Sequence, residues 1–403
     1  MTIGKLVVKV YAKNQGEPLE NTNIQILNPT TQDTIYELIT NSSGQSDTIN
    51  LDAPNEGYSQ EPQSPKPYQE FDILAKKDGF DSVKIEGVQI FPDSLSIQNI
   101  YLNYQNVSER IYNIPEHNLY ATYPPKIAED PIKKISTSSG LAVLPKPVIP
   151  EYVIVHDGVP EDNSAPNYWI PYKNYIKNVC SSEIYPTWPY ESIIANILVI
   201  NSFTLNRVYT EWYKNLGYNF TITSSTAYDQ SFVYQRNIFS QISEIVDRIF
   251  SQYITKPSIE QPLFTQYCDG QQVSCPGWLS QWGSKKLADN GANYTDILRN
   301  YYGYDIYLEM ANQVNGIPSS YPGYVLQNGS RGDAVRTIQE QIVNISSKYP
   351  LIPKIAVDGV YGAKTTEAVK IFQSTFNLPQ TGSVDYATWY EISRIYVAVK
   401  SLS

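Results

Sequence analysis

The stretch KNYIKNVCSSEIYPTWPYE, residues 173–191, leads into a long helical pattern. Apolar residues follow it at three- and four-residue spacing, which places them on one face of a helix. These positions are Ile194, Ile197, Leu198, Leu205, Val208 and Trp212. Pro189 falls in the first turn, where its missing N–H has no helical partner. The sequence therefore predicts one long helix, with Glu183 held just before it in a turn closed by Pro186 and Pro189.

Two carboxylates flank this turn, and each has a structural and a catalytic interpretation. Glu183 stands close to Tyr185 and Trp188, and an aromatic pocket raises the pKa of a carboxyl group because it excludes water. Glu191 lies at the helix start, where a negative charge complements the helix dipole. Capping is the commoner role of a glutamate near a helix start. We expect Glu183 to be the candidate acid, with Glu191 in reserve.

The bulk composition favours several folded domains and argues against some partners. The chain has 403 residues, which is enough for about two to four domains. Hydrophobic residues make up 41% and charged residues 17%, so buried cores can form. The net charge of −10 argues against nucleic acid and against an anionic membrane surface. The 34 tyrosines suit stacking on sugar rings, although most tyrosines of globular chains are packing residues.

The N-terminus and the most apolar run show whether a signal peptide or a membrane span is to be expected. The start of the chain is neither basic nor followed by an apolar core, so no ordinary signal peptide is expected. Residues 193–203 form the most apolar run, but Asn196 and Asn201 interrupt it. It is also too short to span a bilayer. We therefore expect no membrane span.

The order of patterns predicts three domains and a connector. Short alternating strands between turn signals favour a β-sandwich over residues 1–105. Residues 106–150 are rich in proline and include a small polar run at 136–140, as expected for a cleavable connector. Residues 151–320 combine strands with helices in a helix-rich α+β domain, and residues 325–403 form a small α-helical module.

Four ordered motifs in the middle domain resemble the stage II sporulation protein D family. The quoted stretch resembles the family's Glu, followed closely by Pro and a helix. Residues 225–230 (STAYDQ), 279–284 (LSQWGS) and 294–303 (YTDILRNYYG) are similar to its later motifs. Members are lytic transglycosylases of peptidoglycan or enhancers of peptidoglycan amidases. The resemblance implies that residues 151–320 are a catalytic domain with Glu183 as its acid.

The same resemblance implies glycan contacts from aromatic and polar loop residues. The candidate substrate-binding residues are Tyr185, Trp188, Thr226, Asp229, Gln230, Ser280 and Gln281. The competing interpretation of the polar residues is that they stabilise turns. A lytic transglycosylase needs one carboxyl group, which protonates the leaving oxygen and then accepts the proton of the C6 hydroxyl. A hydrolase usually needs two carboxyl groups.

Cys268 and Cys275 leave three possibilities open, namely a disulfide, two free thiols or a weak zinc candidate. The family often has a Gly-His-Gly segment before its Ser-Gln motif, where this chain reads Cys275-Pro276-Gly277-Trp278. The histidines of the chain are His117 and His156, so a local four-ligand Cys/His zinc site cannot be assembled. We expect no metal and no cofactor.

Residues 325–403 are similar to the peptidoglycan-binding type-1 module. The resemblance includes Gly332, Val335, Gln339, Asp358, Gly359, Tyr361, Gly362, Thr365, Phe372, Gln373, Thr381 and Gly382. Taken alone, the glycines and phenylalanines are turn and core residues. We expect ligand contacts from exposed side chains, namely Asp358, Tyr361, Gln373 and Thr381.

The whole order of domains resembles clostridial spore cortex-lytic enzymes of the SleC type. Residues 1–105 are similar to carboxypeptidase-regulatory-like sandwiches, which fits a pro-domain. The resemblance implies peptidoglycan as partner, location in the spore cortex or coat region or in the cell wall, and activation by a subtilisin-like protease. The missing signal peptide suits packaging in a spore or delivery in a particle. Two alternatives stay open: a non-enzymatic amidase enhancer, and a wall-binding structural or tail-associated protein.

Overall fold

The computed structural model describes residues 2–12, 15–104, 109–133, 144, 146–311, 314–316 and 318–400. The chain is multidomain, with a β-sheet-rich N-terminal region and a helical C-terminal region. The described strands are β1 Thr2–Ala12, β2 Asn23–Leu27, β3 Thr34–Ile39, β4 Ile49–Ala53, β5 Gln69–Lys76, β6 Ser82–Ile90, β7 Leu95–Leu102, β8 Glu109–Asn113, β9 Tyr152–His156, β10 Asn167–Pro171, β11 Ile222–Thr223, β12 Ile238–Phe239, β13 Gln252–Thr255, β14 Tyr267–Cys268, β15 Leu279–Ser280 and β16 Tyr307–Met310. The described helices are α1 Tyr172–Glu183, α2 Tyr190–Tyr209, α3 Trp212–Asn215, α4 Ser240–Ile249, α5 Gln281–Asp289, α6 Tyr294–Tyr302, α7 Asp333–Ser346, α8 Ala363–Thr375 and α9 Tyr386–Lys400.

Two sheets share one buried apolar cluster in the N-terminal region. One has the strand order β3-β2-β5-β6-β8 and the other β12-β7-β1-β4. Successive side chains of a strand point to opposite faces, so Leu6, Val8 and Val10 of β1 enter this cluster. Lys9 and Tyr11, on the other face of β1, are also buried. The alternating pattern predicts that one face of β1 is exposed to solvent. In the structure this face is buried as well, because a second region covers it.

The connector begins later than its composition indicates. Strand β8 pairs in parallel with β6, and Ile114 joins the buried cluster of the two sheets. Both lie in the range 106–150 that we assigned to the connector. Residues 115–133 then pack onto the middle region. The polar run 136–140 lies outside the described residues.

A strand from the middle region completes one N-terminal sheet. In β12, Ile238 pairs with Ile97 and Phe239 with Ser96, in antiparallel register with β7. Helix α4 begins directly after this strand, at Ser240. Ile238 and Phe239 pair with the backbone of β7, which would otherwise be an edge strand. These backbone hydrogen bonds join the two regions.

Helix α2 is the centre of the middle region, and 18 of its 20 residues are buried. The prediction of one long helix is right in outline and wrong in three details. Pro189 is the N-cap rather than a first-turn residue. Trp212 belongs to the separate helix α3, because Glu211 adopts a left-handed conformation with φ 44° and ends the first helix. Glu183 is the last residue of α1 rather than part of a turn.

The C-terminal region consists of α7, α8 and α9, and its buried apolar residues belong to the same cluster as those of the middle region. Gln339 of α7 holds the turn before α8, since its Oε1 accepts the N–H of Gly359 at 2.8 Å. None of the helices in the described parts of the chain combines the length and hydropathy that a bilayer crossing requires.

A buried charged cluster joins the three regions. Lys173 of α1 lies 2.9 Å from Asp247 of α4 and 2.8 Å from Glu391 of α9. Lys177 lies 2.7 Å from Asp247. Lys9 of β1 donates to the backbone carbonyl of Thr375. Because buried charges need close partners, this cluster fixes the regions relative to one another.

Lys9 gives a pH-dependent stability test. Burial lowers its pKa from 10.5 to about 7, while the charge of Glu391 opposes this shift. Between these two values the unfolded chain binds more protons than the folded one, so the contribution of Lys9 to stability rises with pH. We therefore expect the unfolding free energy of the parent to rise relative to that of Lys9→Met between pH 7 and 9, by up to about 1.4 kcal/mol per pH unit. Denaturant titrations measure it, with the exposed Lys5→Met as control; a difference independent of pH contradicts the assignment.

Candidate active site

The carboxyl group of Glu183 is enclosed at the C-terminal end of α1. The residue is 1% exposed. Its Oε1 accepts the backbone N–H of Ser231 at 2.7 Å, and its Oε2 accepts the hydroxyl of Tyr267. Two donors on different segments therefore hold both carboxyl oxygens in one orientation.

The surroundings of Glu183 favour its protonated form. Burial raises the pKa of Glu183 above its ordinary value, although the charge of Lys126 and the hydrogen bonds from Ser231 and Tyr267 oppose this rise. A raised pKa leaves a larger protonated fraction near neutral pH, which is what a general acid requires.

Lys126 brings a positive charge to the same place. Its Nζ donates to the backbone carbonyls of Asp229 and, at 3.3 Å, Thr226. It also lies 4.8 Å from the ring centroid of Tyr267. Burial lowers the pKa of Lys126, and the charge of Glu183 is the foremost opposing influence. An ammonium group from another part of the chain thus lies close to the tyrosine that donates to the enclosed carboxyl group.

Lys126 belongs to residues 115–133, which we call the strap. The N–H of Ile127 donates to the carbonyl of Ala227 at 2.8 Å, and the side chain of Gln266 donates to the carbonyl of Ile127 at 2.7 Å. The hydroxyl of Tyr123 donates to the carboxylate of Asp269 at 2.9 Å. The strap therefore lies between the 225–230 loop and the segment 266–269, beside Glu183.

The two aromatic candidates, Tyr185 and Trp188, are each 2% exposed. The rings of His117 and Phe91 lie 4.6 and 5.3 Å from the ring of Tyr185, between centroids. The indole N–H of Trp188 donates to the carbonyl of Ser59 at 2.9 Å. Residues of the strap and of the N-terminal region thus cover the face that the sequence assigns to a glycan.

Asp229 and Gln230 are fully buried and hydrogen-bonded within the protein. The carboxylate of Asp229 lies 2.7 Å from Arg207 Nε and also accepts hydrogen bonds from Tyr213 and Thr223. Gln230 accepts from Tyr175 and donates to the carbonyl of Ile200. These contacts correspond to the turn-stabilising interpretation, and the backbone carbonyls of Thr226 and Asp229 face the strap.

Ser280 and Gln281 lie on the side of the site formed by α5. The Oγ of Ser280 caps α5 by accepting the N–H of Gly283 at 2.9 Å. The side chain of Gln281, 1% exposed, donates to the backbone carbonyl of Glu183 at 3.0 Å. Gln281 therefore positions the chain that carries the candidate acid.

Glu191, the reserve candidate, accepts the backbone N–H of Tyr294 at 2.8 Å. Tyr294 is the first residue of α6, so Glu191 satisfies an N–H that has no partner inside that helix. This contact caps a different helix from the one that contains Glu191. The place of Glu191 in the first turn of α2 is what complements the dipole of its own helix.

Cys268 and Cys275 form a disulfide, with their Cα atoms 5.6 Å apart. Of the three possibilities left open by the sequence, the structure selects this one. Within the described ranges, no group of three or more His, Cys, Asp and Glu side chains is placed to hold a metal ion.

Sequence reasoning missed Tyr267 and Lys126. Tyr267 directly precedes Cys268 in a segment without a motif, and Lys126 lies in the Pro-rich range assigned to the connector. A contact between residues 84 positions apart, such as Tyr267 and Glu183, leaves no local pattern. A single sequence carries no signal that could have identified either residue.

In the C-terminal module, the expected exposure of two candidate residues is wrong. Tyr361 is 0% and Gln373 1% exposed, because each holds the loop before α9: Tyr361 donates to the carbonyl of Gly382, and Gln373 accepts its N–H. Asp358 and Thr381 are exposed, as expected.

Comparison with known proteins connects the C-terminal module to the cell wall. Residues 331–392 match the family model of the putative peptidoglycan-binding domain, so this part of the chain is a peptidoglycan-binding type-1 domain. No curated protein matches the chain.

Solved structures give weaker likenesses. A structure described as the SleB N-terminal domain is 28% identical, covers 21% of this chain and 100% of its own, and has a TM-score of 0.17. The Bacillus anthracis TIE protein is 9% identical, covers 26% and 17%, and has a TM-score of 0.18. The minor pilin GBS52 of Streptococcus agalactiae is 14% identical, covers 26% and 46%, and also has a TM-score of 0.18. None of these likenesses defines the fold of the whole chain.

Asp229 allows the structural and ligand-binding roles to be separated. Replacing it by Asn removes one of the two carboxylates that pair with the buried guanidinium of Arg207, the other being Glu129 at 2.6 Å, and breaking a buried pair costs about 3–5 kcal/mol. We expect Asp229→Asn to lower the unfolding free energy of the full chain by about this amount, with the exposed Asp78→Asn nearly unchanged. Urea unfolding measures it. A stable Asp229→Asn that only loses glycan binding would instead assign the carboxylate to the ligand.

Proposed function

We propose that the protein is a peptidoglycan lytic transglycosylase, made as a precursor and activated by proteolytic removal of its N-terminal part. The observation that carries this proposal is the enclosed carboxyl group of Glu183, held by Ser231 and Tyr267 with its pKa raised by burial. The order of sequence motifs around it supports the same assignment.

The chemistry needs one carboxyl group acting twice. Protonated Glu183 donates its proton to the glycosidic oxygen as the bond from that oxygen to C1 of muramic acid breaks. The resulting carboxylate accepts the proton of the C6 hydroxyl, whose oxygen then bonds to C1 and closes an anhydro ring. Ser231 and Tyr267 stabilise the charged form between the two steps, because both donate to the carboxylate. Gln281 keeps the end of α1 in position.

The strap supports a precursor. It places Lys126 beside Glu183, and its neighbours cover Tyr185 and Trp188. A cut between the strap and residue 150 would leave the strap and the N-terminal sheets held to the region of Glu183 by noncovalent contacts alone, so that both can dissociate from it. We propose a subtilisin-like protease as the activating partner, on the strength of the sequence resemblance.

The peptidoglycan-binding domain supports the substrate assignment. A module that holds insoluble glycan raises the local concentration of substrate at a linked active site. Within this proposal, the spore cortex is the intended peptidoglycan, and Asp358 and Thr381 are the exposed candidates for wall contacts.

A second candidate function is binding without cleavage, either as an amidase enhancer or as a wall-binding structural protein. The observation that favours it is that the family match covers the binding module alone. A carboxyl group enclosed by donors is also compatible with a purely structural Glu183.

The decisive test compares the parent chain with the Glu183→Gln variant. A protease site engineered within residues 134–143 provides the cut chain, which is incubated with purified spore cortex. We expect mass spectrometry to find anhydro-muramyl ends among the soluble fragments from the parent, and none from Glu183→Gln. Glu191→Gln serves as the matched control and should retain cleavage.

Other outcomes identify the alternatives. Ordinary reducing ends would mean a hydrolase with a second carboxyl group. Equal fragments from parent and Glu183→Gln would move the acid elsewhere, and no fragments from either would favour the binding functions.

The precursor hypothesis predicts that the intact chain releases fragments much more slowly than the cut chain, because the strap and the N-terminal sheets cover the site. Release of reducing and anhydro ends over time measures both rates at equal protein concentration. The hypothesis fails if the intact chain degrades cortex as fast as the cut one.

A further inference from the structure

A cavity of about 550 Å³ lies where the three regions meet, apart from Glu183. Its walls include Lys9 and Asn99 of the N-terminal sheet, Lys173 and Lys177 of α1, and Arg394 of α9. This volume lies within the range of sites that bind small molecules. None of the residues assigned to cleavage in the proposed function lines it.

The charged groups around the cavity do not balance. Six basic side chains line it, namely Lys9, Arg110, Lys173, Lys177, Arg236 and Arg394, and the buried carboxylates that pair with basic groups of this set are Asp81, Asp247 and Glu391. Two further carboxylates are nearby but accessible to water: Glu151 on the wall is exposed, and Glu244 is half-buried.

Arg236 has no ion pair among the described residues and is held by hydrogen bonds to Asn237 and Gln89. Lys9 has none either, and because burial lowers its pKa to about 7 it carries only part of a positive charge near pH 7. It is 2% exposed and donates to the carbonyl of Thr375, and within the described ranges no carboxylate lies at ion-pair distance from it. Buried charges are usually paired. The basic groups of the wall outnumber its buried carboxylates, and an anion beside Lys9 would favour the charged form of Lys9, so the cavity suits an anionic ligand.

Aromatic side chains adjoin the charged wall. Trp169 of β10 is 67% exposed and Tyr152 of β9 is 41% exposed. Trp169 pairs with Ile154, and Tyr152 pairs with Pro171, so the two aromatic residues share one face of the hairpin. Both line the cavity, and β10 runs directly into α1 with Lys173 in its first turn. Exposed aromatic rings with one apolar face suit stacking on a sugar ring.

We propose that this cavity binds a soluble peptidoglycan fragment, with a sugar ring against Trp169 and peptide carboxylates toward Lys9, Lys173, Lys177 and Arg394. The ligand class rests on the proposed peptidoglycan function, but the site is separate from Glu183. Because its walls come from three regions, a bound fragment stabilises the uncut arrangement of the chain.

The test uses the full chain carrying Glu183→Gln, so that the probe is not consumed. The probe is a purified disaccharide-tetrapeptide, and chitotetraose serves as the neutral sugar probe. Isothermal titration calorimetry measures the affinity of the Glu183→Gln chain for each probe. The same measurement is made after Trp169→Ala or Lys9→Met is added to that chain. We expect saturable binding of the disaccharide-tetrapeptide, weakened about tenfold by either change, and much weaker binding of chitotetraose.

Two control variants separate the cavity from other surfaces. Tyr304→Ala removes an aromatic side chain that is 87% exposed and does not line the cavity, and should leave affinity unchanged. Lys5→Met replaces an exposed basic side chain of β1 that does not line the cavity, and should likewise leave affinity unchanged. Trp169→Ala alters an exposed side chain, so it remains informative if Lys9→Met fails to fold.

Three results would overturn the proposal: no saturable binding, equal affinity for the neutral probe, or affinity unaffected by Trp169→Ala. These results leave the cleavage proposal standing, because cleavage by the cut parent chain is measured separately. Conversely, the full chain could bind the probe at the cavity while the cut chain releases no fragments. That result would contradict the proposed cleavage activity and support the binding site.

Discussion

The structure depends on the burial of α2, a helix with 18 of 20 residues shielded from water. Its polar side chains must find partners inside the protein, since an unpaired buried polar group is costly. They do so by binding the backbone of surrounding segments. Asn201 donates to the carbonyls of Phe250 and Gln252, Ser202 accepts the N–H of Ile254, and Asn206 donates to the carbonyl of Pro262. The irregular segments of the middle region are thus fixed around one helix.

The same constraint builds the candidate site. Near the C-terminal end of α2, Arg207 binds Asp229 and, through Glu129, the strap. Asp229 in turn holds Thr223 and Tyr213, which fixes the loop whose carbonyls meet Lys126. A substitution in this network alters the shape of the site without touching Glu183. Residues that match a catalytic motif can therefore be essential for structural reasons.

Local sequence patterns predicted much of the architecture. Alternation found the N-terminal strands, and helical spacing found α2 because its apolar face repeats regularly. The strap could not be found in this way. Its prolines and polar residues are typical of a linker, and its order comes from contacts with residues about 100 positions away, such as those of Ile127 and Lys126. The prediction that Tyr361 and Gln373 are exposed was wrong for a related reason, because both side chains form hydrogen bonds inside the module.

The sequence by itself determined the order of the regions, the long central helix, the peptidoglycan-binding domain and Glu183 as the candidate acid. These follow from spacing and motifs within a few tens of residues. Only the tertiary structure decided that Glu183 is enclosed by Ser231 and Tyr267, that Lys126 lies beside it, and that Cys268 pairs with Cys275. It alone also placed Lys9 with the charges of α1 and α9. Burial and the pKa of a side chain depend on groups that are distant in the chain, which no local pattern encodes.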